Sequence, residues 1–176
     1  PFTQSGLSQR GHAIECRIYA EDPTQGFLPQ AGTILLYREP QGPGIRVDSG
    51  VRAGSEVSVH YDPMLAKLIV HAATREAARR RMIAALREYA ILGILTNIPF
   101  LLQILEHPQF VKAAIDTGFL DRETAALAAA IPTTLPSVIL EAVDALALRG
   151  ASRTAQPATA DPQPNDPFDL LRDWRG

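Results

Sequence analysis

The chain has 176 residues, of which 46% are hydrophobic, enough to fill one medium core with extensions. Its 17 basic and 19 acidic residues leave a formal net charge of -2, so no global field draws it to nucleic acid or to an acidic membrane surface. A single cysteine, Cys16, excludes an intrachain disulfide and fits a reducing compartment, and no window is apolar over the ~20 residues that a bilayer span needs.

Pro1-Phe2-Thr3-Gln4 has no basic segment followed by an apolar run, so it is not read as a signal peptide, and both ends of the chain are expected to be cuts in a longer one. The first half then reads as short strands. Ala13 to Tyr19 alternates and carries branched residues, Thr33 to Tyr37 does the same, and Ile45 to Val47, Val57 to Val59 and Leu65 to His71 follow. Asp22-Pro23, Gly32, Gln41-Gly42-Pro43-Gly44, Ala53-Gly54 and Asp62-Pro63 supply the turns between them. Strands at this spacing predict an antiparallel sheet or a small barrel-like sandwich.

The second half reads as helical. Thr74 is an N-cap candidate, and Ala78, Met82, Leu86 and Tyr89 then share one face up to Gly93, which ends or bends the helix. Arg79, Arg80, Arg81 and Arg87 are expected on the solvated remainder. Thr96 or Asn97 caps the next helix, Pro99 sits in its first turn, and Phe100, Leu101, Ile104 and Leu105 form its apolar stripe. A short helix is expected over 109–115 and another over 137–148. Residues 150–167, rich in Pro, Ala, Thr, Asp and Gln, have linker composition, and the apolar cluster that follows to Trp174 looks like the start of a further domain. The histidines do not cluster, so no zinc site is expected, and the arginine run lacks the interleaved aromatics of an RNA-binding surface.

Three stretches in register resemble one family. Gly11 to Pro23, with Phe27-Leu28-Pro29 and Gly32, resembles the opening of the C-terminal domain of a biotin carboxylase. Gly44 to Ser49 and Tyr61 to Leu68 carry the second match, and Gly93 to Asn97 with Asp116 to Leu120 the third. Asp166-Pro167-Phe168 to Arg175 is similar to the entry of the subunit-joining domain of acyl-CoA carboxylases, which favours an acyl-CoA carboxylase α subunit. Pyruvate carboxylase, urea carboxylase and a non-catalytic scaffold remain the alternatives.

The resemblance implies an α+β fold with a mainly antiparallel sheet followed by helices and a linker. It divides the chain into the tail of an upstream ATP-grasp region (1–10), the biotin carboxylase C-terminal domain (11–131), a helix-containing linker (132–166) and the start of a subunit-joining domain (167–176). It further implies ATP-dependent carboxylation of biotin with bicarbonate in the cytoplasm. ATP and Mg²⁺ would be bound mainly by the upstream domain, whose Lys, metal ligands and base this chain lacks. Biotin would arrive on a carrier domain, and a carboxyltransferase subunit would take the carboxyl group onward. The chain alone is accordingly expected to be inactive and prone to self-association.

Among site residues, the resemblance singles out Arg46 as the guanidinium that contacts bicarbonate and the ureido oxygen of biotin. Such a group is always charged and presents a planar fork of donors to a developing oxyanion. The plain alternative is a surface ion pair with Asp48. Thr117 and Gly118 fall where the family runs backbone beside the adenine. The plain alternative for Thr117 and Gly118 is a loop that simply ends a helix. Tyr61 to Met64 with Lys67 is read as a tight turn into a buried strand, and His71 with Arg75 either as part of a homodimer contact or as a solvated strand end and helix start.

Overall fold

The computed structural model describes residues 2–134 and 137–153, with side chains to residue 146. It divides into two units, residues 1–131 and 132–176. The linker beyond residue 153 and the expected start of a further domain at 167–176 lie outside the described residues.

The first unit is built on antiparallel pairing. Strands β1 (His12–Tyr19), β6 (Ile45–Ser49) and β8 (Met64–Ala72) form a three-stranded sheet in the order β1-β8-β6. Three two-stranded ribbons surround it: β2 (Glu21–Asp22) with β3 (Leu28–Pro29), β4 (Gly32–Thr33) with β7 (Glu56–Val57), and β5 (Leu36–Arg38) with β9 (Ala90–Leu92). Helices α1 (Arg75–Glu88), α2 (Ile98–Glu106), α3 (Pro108–Val111) and α4 (Phe119–Ala129) complete the unit. The expected α+β class with a mainly antiparallel sheet is what the chain adopts. In the second unit, α5 (Ser137–Arg153) runs five residues past its expected end, with Val138, Ile139, Leu140, Val143 and Leu146 exposed.

Strand alternation fixes which face of the sheet is covered. Cys16 and Ile18 of β1 and Leu68 and Val70 of β8 are buried, and Ile14, Ile45 and Val47 pack against them. Helix α1 seals this inner face with Ala78, Met82 and Leu86, all under 2% exposed. Burying a side chain the size of Met or Leu contributes about 1.5–3 kcal/mol, so this interface dominates the core. Thr74 caps α1 as expected, its Oγ1 accepting from Ala77 N at 3.2 Å.

Local departures from the pattern have identifiable causes. The segment expected as one strand, 33–37, is broken at Ile34–Leu35 because the chain changes partner there. Ile34 N donates to Ser55 O at 3.0 Å on the β7 side, and Leu35 N donates to Leu92 O at 2.7 Å on the β9 side. Helix α1 stops at Glu88, and Ala90–Leu92 is a strand because β5 offers it a ladder. Gly93 follows with φ +109, where an added Cβ would collide with the Thr33 carbonyl. Arg79 leaves the solvated face: its side chain is 13% exposed, pairs with Glu76 at 2.7 Å and donates to Leu105 O at 2.9 Å, tying α1 to the end of α2. The helix expected over 109–115 is a single turn, and Ala113 at φ 55 marks where it ends.

Candidate functional site

Because Cys16, Ile18, Leu68 and Val70 point inward, the alternate residues of the same strands point out. Register places Glu15, Ile69 and Arg46 in one row across the sheet, and Arg17, Lys67 and Asp48 in the next. The outer face therefore carries three cations and two carboxylates, with Arg17 and Arg46 on the two flanking strands, about 10 Å apart.

Arg46 lies on the surface, its side chain 73% exposed, and is not drawn into the interior. It is engaged side-on by Asp48, with Nε donating to Oδ1 at 2.7 Å and Nη2 to Oδ2 at 2.9 Å. The bidentate bond raises the Arg46 pKa and holds the Asp48 carboxyl below the usual carboxylate range, chiefly through the hydrogen bond itself. The surface ion pair is thus present, and it leaves Nη1 without a partner among the described residues.

Arg17 is held more loosely. Its Nε donates to Glu15 Oε1 at 3.4 Å and its side chain is 58% exposed. Hydrogen bonding to the Tyr19 side chain, then to Glu15, raises its pKa. Arg17 also lines a cleft of the unit, a space of about 430 Å³ whose walls include Glu21, Asn97, Phe100, Leu120 and Thr124. The cleft follows the free edge of β1, since β8 pairs only with the other edge. Its far wall is α2 and the first turns of α4. Sequence reasoning passed over Arg17 although it stands inside the first motif. The signal was its register: it alternates with buried Cys16 and Ile18, so it had to point outward.

Gly118 occupies the N-cap position of α4 and, with Thr117, precedes the buried anchor Phe119. Asp116 organises this turn: its Oδ1 accepts from Gly118 N at 3.0 Å and from Arg122 Nη2 at 2.9 Å. Neither Thr117 nor Gly118 lines the cleft, but Leu120 and Thr124, within two turns of them, do. The structure so brings Arg17 and the start of α4 to one cleft and leaves Arg46 outside it.

The remaining motif residues have structural partners. Asp62 Oδ1 accepts from Met64 N at 2.9 Å, closing the expected turn into β8. The Arg75 guanidinium lies 4.8 Å over the Phe110 ring and donates to Phe110 O at 2.6 Å, pinning α3 to the start of α1. His71 is exposed, with Nε2 3.5 Å from Arg10 O. Among the described residues no group of three or more His, Cys, Asp or Glu could hold a metal ion, and no helix is long and apolar enough to cross a membrane.

The described residues of the first unit thus form an α+β domain, an antiparallel sheet sealed on one face by helices, with cations on the other face and a cleft along the free edge of β1. The model of the biotin carboxylase C-terminal domain matches residues 15–122, and the chain belongs to that family. It is 47% identical over 124 residues to a pyruvate carboxylase of Aspergillus terreus, covering 70% of this chain and 10% of the relative. It is 44% identical over 121 residues to the mitochondrial methylcrotonoyl-CoA carboxylase subunit alpha of Rattus norvegicus, covering 68% and 17%. Among solved structures it resembles the biotin carboxylase domain dimer of Hydrogenobacter thermophilus 2-oxoglutarate carboxylase, in complex with MgADP, ADP and bicarbonate. The TM-score is 0.68 at 40% identity, over 72% of this chain and 28% of that one. The chain therefore spans under a fifth of the length of the two curated relatives.

Proposed function

We propose that this chain supplies one wall of the site at which a biotin carboxylase uses ATP and bicarbonate to carboxylate biotin. The observation that carries the reading is Arg17, an outward guanidinium on the edge strand of the sheet, facing a cleft closed on its other side by α2 and α4. Biotin, when bound, supplies the ureido nitrogen that accepts the carboxyl group. What this chain contributes is a fixed positive charge where negative charge develops on the ureido oxygen, and removal of such a donor costs about 10²–10³ in rate. The Arg17 side chain is 58% exposed in this chain alone, so water must be excluded by the neighbouring domain before that interaction strengthens.

Arg46 is the second reading for the same role. Its 73% side-chain exposure and its Nη1, unpartnered among the described residues, favour it, while its bidentate bond to Asp48 and its place outside the cleft weigh against it. One experiment separates the two. In an intact carboxylase carrying this chain, Arg17→Ala is expected to slow biotin carboxylation about 100-fold or more with ATP affinity retained, and Arg46→Ala to cost far less. The reverse ranking assigns the role to Arg46, in which case Arg46→Lys, lacking the fork, should rescue poorly. Near-normal rates in both variants remove the guanidinium from the mechanism.

The turn at Thr117-Gly118 is proposed to run beside the adenine, because it opens the helix that forms the far wall. Crystals of the intact enzyme with ATP and no contact at these residues would withdraw it. As to the parent enzyme, the acyl-CoA carboxylase reading rests on Asp166 to Arg175, which lie outside the described residues. The relatives include both acyl-CoA and pyruvate carboxylases, and the sequence that follows Gly176 discriminates between them. The upstream ATP-grasp domain, carrier domain, carboxyltransferase subunit, homodimer contact and cytoplasmic location belong to this same proposal.

A further inference from the structure

We infer that Asn97 is a positioning residue for Arg17, acting as a one-residue substitute for the missing strand beside β1. This rests on the reading of Arg17 given above. Asn97 stands at the N-cap position of α2, where an Asn ordinarily turns its side chain back to a helix amide. Here it makes no such bond, and the second helical residue is Pro99, which has no amide to offer. The side chain, with the residue 7% exposed, reaches the free edge of β1 instead. Oδ1 accepts from Tyr19 N at 2.9 Å, Nδ2 donates to Arg17 O at 3.1 Å, and Asn97 N donates to Tyr19 O at 3.1 Å.

Three hydrogen bonds from one residue thus close the edge at the two peptide units flanking Ile18 and at the one after Tyr19. Arg17 and Tyr19 direct their backbone groups to this edge, so their side chains leave the strand from a backbone clamped on both margins. No other residue among those described bonds the free edge of β1 between Ala13 and Tyr19. An arginine on an edge strand would otherwise share the freedom of that edge, and a misplacement of ~1 Å at a charge-stabilising group costs on the order of 100-fold in rate.

The test uses the intact carboxylase and three substitutions. Asn97→Asp keeps the shape, the acceptor for Tyr19 N and a good helix-start residue, but turns an acceptor toward the Arg17 carbonyl. Asn97→Ser keeps the helix start and is too short to bridge. Each is made alone and with Arg17→Ala. The expected result is a drop of about tenfold or more in kcat for biotin carboxylation with KM for ATP unchanged, and no further drop when Arg17 is already Ala. An equal loss in both backgrounds makes Asn97 a merely structural residue and overturns this inference alone. Full activity of Arg17→Ala overturns the reading beneath it, and the inference with it. Should Asn97→Asp not fold, Asn97→Ser carries the same comparison.

Discussion

At the scale of single residues, burial decides what a side chain can still do. Cys16 is 6% exposed, and desolvation, followed by the neighbouring Glu15 charge, pushes its thiol from 9.0 to about 12. A thiol so shifted is protonated at any ordinary pH and is a poor nucleophile. It should resist thiol-specific alkylation at pH 8 in the folded chain and react once denaturant is added. Rapid labelling under native conditions would contradict its placement in the core. The same shift sets a pH dependence. The unfolded thiol ionises near pH 9 and the folded one does not, so the stability it contributes is complete below pH 9 and is lost between 9 and about 12. Burial raises the Tyr89 and Tyr37 phenols as well, which steepens the same alkaline decline. Cys16→Ala should flatten the fall in unfolding free energy across that window, and an unchanged slope would assign it to the tyrosines. Asp22 illustrates the opposite sign. Its hydrogen bonds, first from the Thr24 hydroxyl, hold the carboxyl low, so its contribution is lost as pH falls below the ordinary carboxylate value.

At the scale of elements, hinge points and caps carry the local stability. Gly93 is required by its φ of +109 and by the Thr33 carbonyl lying where a Cβ would be. Gly93→Ala should destabilise by at least about 1–3 kcal/mol, the usual cost of forcing such a backbone, and loosen β9 from β5. A melting temperature equal to that of the parent would show that the turn is not required. Thr74→Ala, which removes a single cap, is expected to cost only about 1 kcal/mol. Sequence patterns made the long elements legible: β1 and β8 by alternation, α1 by its apolar face and its cap. They missed β9 because Ala90-Ile91-Leu92 continues the helical apolar pattern, and only a partner 54 residues earlier, Leu36 to Arg38, makes it a strand. They misplaced Arg79 because its partner, the Leu105 carbonyl, lies on another helix. Of the candidate site, the motifs contain both Arg17 and Arg46 but not the cleft that favours the first, because a cleft is a tertiary property.

At the scale of the whole molecule, the first unit leaves apolar side chains uncovered. Leu36 and Leu92 are register partners on adjacent strands and are 43% and 55% exposed, and Leu35 and Leu95 are 74% and 55% exposed. Large apolar side chains left in water at this corner favour association. Sizing the isolated chain over a concentration series should show mass rising with concentration, and Leu92→Glu should suppress the rise. A monomer at every concentration would mean that the corner is tolerated in water.

Strand β8 lies between β1 and β6, so neither flanking strand has a ladder until it arrives. His12 must wait for Ala72 to find its partner. Loops of that length slow assembly, and on the ribosome β1 and β6 would leave the exit tunnel before the strand that both of them pair with. A truncation ending before Met64 is then expected to be a chaperone client, whereas one that includes Glu88 would have both the central strand and the helix that seals it.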